Sequence, residues 1–452
     1  MFVNRRLVLA GGTACVLAPS IGVSQDSDVK GALWKMITGN RSAFEEGLAV
    51  VSTLNGPEYV PALIVAQRFS KFPNLWFDPE MQRLAGVEIT GWFDWMLWQE
   101  TNPDIRPPDW YEEFKREVFL AVDANFELFL RPEFLKRKKT GIRFEEVTWG
   151  GVRKDGIPSL DNPELITAEN AAYLSDDDLV FGVSINGDAR AYPLRIMGWH
   201  EMFNDVIGGV PVALAYCTLC GSGILFETEV GRESALVFGP SGFLYRSNKL
   251  MFDRETHTLW NQFTGKPVIG PLVEQDLELR QRPVVIAPWG EWKAQNAGTR
   301  VLSLVTGHDR DYGSGVVYRD YFSSDDLMFP TQVDQSLVGQ KEYVFGVRQF
   351  GTAKAWPLSA FKDQRVINDR IGDRDVVLIG NEAGRTVRAY LRSGKEFAVS
   401  GKGLQTGDGV LWEVTEDALV AGDQSLARVA GHVAYWFAWS GYLGDATELY
   451  QP

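Results

Sequence analysis

The sequence predicts an α+β protein: an N-terminal helical domain followed by a duplicated β-rich module. Three observations carry this reading. Between about residues 42 and 130, apolar side chains recur at three- and four-residue spacing, the helical period. After about residue 140 the texture changes to short apolar runs separated by Gly, Asn and Asp, the pattern of strands and turns. Finally, Val180 to Leu194 reads VFGVSINGDARAYPL and Val344 to Leu358 reads VFGVRQFGTAKAWPL, identical at nine of 15 positions with an offset of 164. Self-similarity at a fixed offset marks repeated structural units.

In chain order, residues 1–24 read as an export signal. Arg5-Arg6 supplies the basic start, Leu7 to Pro19 the apolar run, and Gly22 and Ser24 small residues for cleavage. Arg5-Arg6 before Val8-Leu9 resembles a twin-arginine signal, with Asn4 where Ser or Thr is usual. An ordinary secretory signal is the alternative. The protein is therefore expected to be exported, periplasmic or secreted. No stretch reaches the ~18 uninterrupted apolar residues of a spanning helix, so no stable membrane anchor is expected. Cys15 falls within the signal and is set aside.

Residues 25–140 form the expected helical domain. Ser42 to Val51 and Glu58 to Phe69 are amphipathic and are broken by Asn55-Gly56-Pro57. Phe114, Val118, Phe119, Val122, Phe126 and Phe129 share one face between Trp110 and Leu130. Trp92, Phe93, Trp95, Trp98 and Trp110 are read first as core and second as a platform for a glycan or protein partner. Lys136 to Lys139 reads as a solvated linker. Residues 141–335 then make the first β-rich module and 336–452 the second, degenerate one, with the two packed together. The offset also maps Asn204-Asp205 onto Asn368-Asp369 and Ile207-Gly208 onto Ile371-Gly372.

Composition limits the chemistry. Of 452 residues 45% are hydrophobic and 23% charged, which fits a folded globular chain rather than a disordered one. A net charge of −14 repels phosphate backbones, so no nucleic-acid partner is expected. Three Cys and four His allow at most one small metal or thiol site. The chain has no G-x-S-x-G elbow, P-loop or dinucleotide fingerprint, and no catalytic residue is assigned.

The chemistry-bearing residues sit in the first copy alone. Cys217 and Cys220 map onto Asn381 and Gly384, and His200 maps onto Gln364. Positions shared by both copies, such as the Asn-Asp pair, read as architectural. Strand, Cys217-Thr218-Leu219-Cys220-Gly221, strand is the shape of a metal knuckle, with Gly221 free to take positive φ. A thioredoxin-like motif would continue into a helix instead. Gly208-Gly209 reads as a two-residue hairpin turn. Its register puts His200 opposite Cys217 with Cβ atoms roughly 5 Å apart, and turning at Gly372-Asp373 puts Gln364 opposite Asn381.

Cys217, Cys220 and His200 are accordingly the expected metal ligands, with His257, a water or Glu201 as the fourth. Glu201 and Asp205 are candidates to orient the imidazole. Soft thiolates favour copper or zinc, with iron a third option, and a redox metal with an open position would support oxidoreductase activity. Alternatively the two cysteines form a redox-active or structural disulfide, as an exported compartment permits, or are inert. A non-enzymatic partner- or glycan-binding protein is the third reading. The partner is expected to be an unidentified small molecule or a periplasmic protein. His308 reads as surface and His432 as packing.

The chain resembles a bacterial exported-protein family known only as a domain of unknown function. The likeness rests on Trp199-His200-Glu201, Asn204-Asp205 and Tyr216-Cys217-Thr218-Leu219-Cys220-Gly221. It extends through Asp155-Gly156-Ile157-Pro158, Arg190-Ala191-Tyr192-Pro193 and Trp436-Phe437-Ala438-Trp439, covering about residues 143–450. Relatives commonly carry Pro after the first cysteine, where this chain has Thr218. The resemblance implies these positions as the site and implies no activity.

Overall fold

The computed structural model describes residues 22–136, 139–232, 234–401 and 403–451. Arg5, Arg6 and Cys15 of the expected signal lie outside the described residues, as do Arg137 and Lys138 of the expected linker. The architecture is mixed α+β, with N-terminal helices followed by a β-rich region of several sheets. No helix among the described residues is long and apolar enough to cross a membrane.

The chain divides into two compact units, the first ending at Glu88 and the second spanning Ile89–Pro452. The first holds the helices Gly22–Thr38, Arg41–Val51, Val60–Phe69 and Asp78–Ala85. Asn40 caps the second helix, its Oδ1 accepting from the Ala43 N–H at 3.0 Å. The Asn55-Gly56-Pro57 break falls where expected, ahead of a short 3-10 turn at Pro57–Tyr59.

The expected boundary near residue 140 differs from this division, because two helices join the sheets. Gly91–Thr101 is tied to them by Gln99, whose Nε2 donates to Glu145 O at 2.8 Å. Tyr111–Val122 is tied by buried Lys115, which donates to Phe144 O and Glu145 O at 2.7 and 2.9 Å. Phe119 packs on Phe243 with centroids 5.0 Å apart. The helical period locates these helices, while their partners are set by side chains far away in sequence.

In the second unit, two hairpins share one design. Leu179–Ile185 pairs antiparallel with Asp188–Pro193, and Tyr343–Gln349 with Thr352–Pro357. Val285–Pro288 flanks the first strand and leads into the helix Trp289–Gln295, whereas His432–Tyr435 flanks the third and leads into Trp436–Leu443. The two Val-Phe-Gly-Val segments each lay their glycine under a tryptophan of that helix. A Cβ on Gly182 would sit 2.2 Å from the Trp292 ring, and one on Gly346 would sit 2.1 Å from Trp439.

Both predicted tight turns hold. Met202–Ile207 pairs with Val210–Cys217 across Gly208 (φ 55°) and Gly209 (φ 81°), and Ile371 pairs with Arg374 across Gly372-Asp373. Asn204 exchanges two hydrogen bonds with the Phe238 backbone, and Asn368 does the same with Phe397. One apolar core draws Phe181, Tyr192, Phe203 and Leu214 together with Phe345, Trp356, Ile367 and Leu378. A second core encloses the cysteines with Trp260, Phe263, Trp436 and Trp439.

Candidate functional site

Cys217 ends one strand and Ser222, paired with it, begins the next, Ser222–Glu227. Thr218 to Gly221 close the hairpin, with Cys220 N donating to Cys217 O and Gly221 N to Thr218 O, both at 3.2 Å. Gly221 takes φ 59°, and a Cβ there would lie 2.8 Å from the Tyr343 ring. Conformation and close approach both call for glycine. The turn is held from behind by Tyr435 N, which donates to Cys220 O at 2.8 Å, and by Tyr321 OH, which donates to Leu219 O at 2.7 Å.

The two sulfurs lie 2.7 Å apart as free thiols. Cys220 is fully buried and donates to Ser247 O at 3.4 Å. Burial, followed by the adjacent Cys217 sulfur, pushes its thiol well above the usual cysteine range. Cys217 is 2% exposed and lines a cavity of about 60 Å³, shared with Thr218, Glu201, Lys249 and Tyr318. Cys220 is not in its wall. The pair is thus asymmetric, one sulfur facing a cavity and one sealed behind it.

Beside the sulfurs runs a buried ion pair. Lys249 Nζ reaches Glu201 Oε2 at 3.2 Å, with side chains only 5% and 11% exposed. It also donates to Glu201 O at 3.1 Å and Tyr216 O at 3.4 Å. Glu201 Oε1 accepts from Thr218 Oγ1 at 2.9 Å and from Tyr318 OH at 3.4 Å. Glu201 holds φ 55°, as Tyr318 does, the left-handed region that non-glycine residues seldom occupy. Asn248, Ser222 Oγ and Gln262 Oε1 are buried without hydrogen-bond partners among the described residues.

The expected ligand set does not gather. Glu201 N–H still bonds Met197 O as the cap of the helix Leu194–His200, so the paired strand starts at Met202, two residues after the histidine. The register itself continues to Tyr216 N bonding Glu201 O at 2.8 Å, but His200 belongs to the helix. Its Nδ1 bonds Pro158 O at 2.8 Å and its Nε2 bonds Tyr312 OH at 2.6 Å. A carbonyl only accepts, so Nδ1 carries the proton and Nε2 accepts from the tyrosine. Burial lowers its pKa to about 4.

His257 sits half-buried in a turn at φ 61°, its N–H bonded to Asp253 O. Among the described residues, no group of three His, Cys, Asp or Glu side chains is placed to hold a metal ion. Glu201 and Asp205 do not orient the imidazole. Asp205 instead accepts from Arg190 and Tyr192, each at 2.7 Å, and its counterpart Asp369 accepts from Trp356 at 2.8 Å and pairs with Lys354 at 3.0 Å. His308 is exposed, and His432 is packed between Phe263 and Trp439. Trp95 is buried against Trp98, which places it in the core rather than on a surface platform.

Residues 154–446 match a family described as a protein of unknown function, DUF3179. The chain belongs to that family. No curated protein and no solved structure matches the chain. The family segment contains the cysteine turn, Glu201, Lys249 and Tyr318. Sequence reading missed Lys249 and Tyr318. For Lys249 a signal existed, a lone charge running into the apolar Leu250-Met251-Phe252. For Tyr318, about a hundred residues from the turn, none did.

Proposed function

We propose that Cys217 and Cys220 form a redox-active dithiol, cycling between two thiols and a disulfide with loss and gain of two protons and two electrons. The observation that carries this is the 2.7 Å separation of two sulfurs on a strand-to-strand turn, one of them facing a cavity. Cys217 is the reacting sulfur because it lines the cavity, and Cys220 the resolving one. The export signal read from the first residues supports this reading, since disulfides persist in exported compartments.

The metal reading receives less support, because both ring nitrogens of His200 are already bonded. We also propose that the two Val-Phe-Gly-Val hairpins descend from one duplicated unit whose second copy lost its thiols. The Gly182–Trp292 and Gly346–Trp439 contacts and the matching Asn204 and Asn368 bridges support it.

The test equilibrates the untagged protein in dithiothreitol redox buffers, traps thiols by alkylation and counts them by mass. A reversible transition lost in both Cys217→Ser and Cys220→Ser is expected. About one equivalent of copper, zinc or iron in the wild type, absent from Cys217→Ser, would replace this reading with the metal one.

A further inference from the structure

We propose that the oxidant of this dithiol is hydrogen peroxide, or a hydroperoxide of similar size, and not a protein disulfide. The inference rests on the dithiol reading and adds its substrate class.

Access decides it first. Thiol–disulfide exchange passes through a mixed disulfide, so a protein partner must bring its own sulfur and backbone to Cys217. Cys217 is 2% exposed and Cys220 is sealed. The cavity at Cys217 holds about 60 Å³. About 10–15 Å³ of such space holds one water, so the cavity suits a small molecule of a few heavy atoms and not a folded partner's cysteine with its chain.

Tyr318 divides this cavity from larger clefts. Its side chain belongs to the wall of the Cys217 cavity and to the walls of two clefts of about 710 and 540 Å³. Its hydroxyl bonds Glu201 at 3.4 Å, and its backbone takes φ 55°. Tyr318 is therefore a wall residue common to the Cys217 cavity and both clefts. Thr218, Tyr318 and the Lys249–Glu201 pair give the cavity a polar wall for a small polar guest.

The chemistry balances. The Cys217 thiolate attacks one peroxide oxygen, the O–O bond breaks, and a sulfenic acid forms as hydroxide leaves and takes up the thiol's proton as water. Cys220 then attacks the Cys217 sulfur, the S–S bond forms, and the sulfenic hydroxyl departs with the Cys220 proton as a second water. Two thiols and one peroxide give one disulfide and two waters. The sulfurs are already adjacent for the second step.

The experiment treats the reduced full-length protein with hydrogen peroxide, cumene hydroperoxide, an oxidised thioredoxin or diamide, and follows the cysteine-turn peptide by mass spectrometry. Hydrogen peroxide should form the disulfide more than an order of magnitude faster than cumene hydroperoxide or the protein disulfide. Cys220→Ser should stop one oxygen heavier, as a dimedone-reactive sulfenic acid, and Tyr318→Ala should erase the preference for the smaller peroxide. Equal rates with cumene hydroperoxide or the protein disulfide in the wild type would overturn the substrate class and leave the dithiol standing. A native protein that forms no disulfide with any of the four would overturn both. The wild-type comparison needs no variant to fold.

Discussion

Replacing Lys249 by Met should be among the most costly single changes near the site. The Nζ–Oε2 distance is 3.2 Å and both side chains are nearly out of solvent. At an effective dielectric of about 20, two unit charges at that distance attract by about 5 kcal/mol. Removing one partner of a buried pair costs about 3–5 kcal/mol, because the other charge is left uncompensated. Met keeps the stem's volume, and the Glu201 carbonyl keeps its bond from Tyr216 N, so the stranded carboxylate dominates the loss. Thr218 and Tyr318 can only partly satisfy it. Guanidinium unfolding followed by Trp fluorescence would read the change. The double variant Glu201→Leu/Lys249→Met should recover most of it, since an apolar pair of similar volume removes both charges. A loss below about 1 kcal/mol in Lys249→Met would refute the reasoning, because that is how a solvent-screened surface pair behaves.

Gly182→Ala and Gly346→Ala should each destabilise by about 1–3 kcal/mol through overpacking against Trp292 and Trp439, measured by the same unfolding curves. Unchanged midpoints would mean the rings swing away freely. Burial lowers the pKa of His432 to about 3 and that of His200 to about 4, so the unfolded chain, with His near 6.5, binds protons first as pH falls. Stability should be intact above about pH 6.5 and decline towards pH 4 by up to about 1.4 kcal/mol per pH unit for each histidine. His432→Phe should remove one proton from that slope, and an unaltered slope would refute its part in it. Asn248→Leu should be neutral or stabilising, because neither amide atom has a partner among the described residues. A loss of more than about 1 kcal/mol would show that the amide is satisfied in solution.

The sequence by itself determined much of what depends on neighbours along the chain. It located the helical and β-rich parts, the two glycine turns and their register, the strand-to-strand setting of Cys217 and Cys220, and the architectural use of Asn204 and Asp205. Turn chemistry and side-chain periodicity are local, so a linear reading suffices. Tertiary structure alone decided where His200 points. Register counting treats a strand as continuing until something stops it. Here the helix Leu194–His200 persists to the residue before Glu201, whose left-handed cap starts the strand too late to place the imidazole beside the sulfurs. Tertiary structure also brought Lys249 to Glu201 and Tyr318 to the cavity. A buried charge finds its counter-charge through space, and the long connection after Leu302 returns to the site by packing that no local pattern encodes.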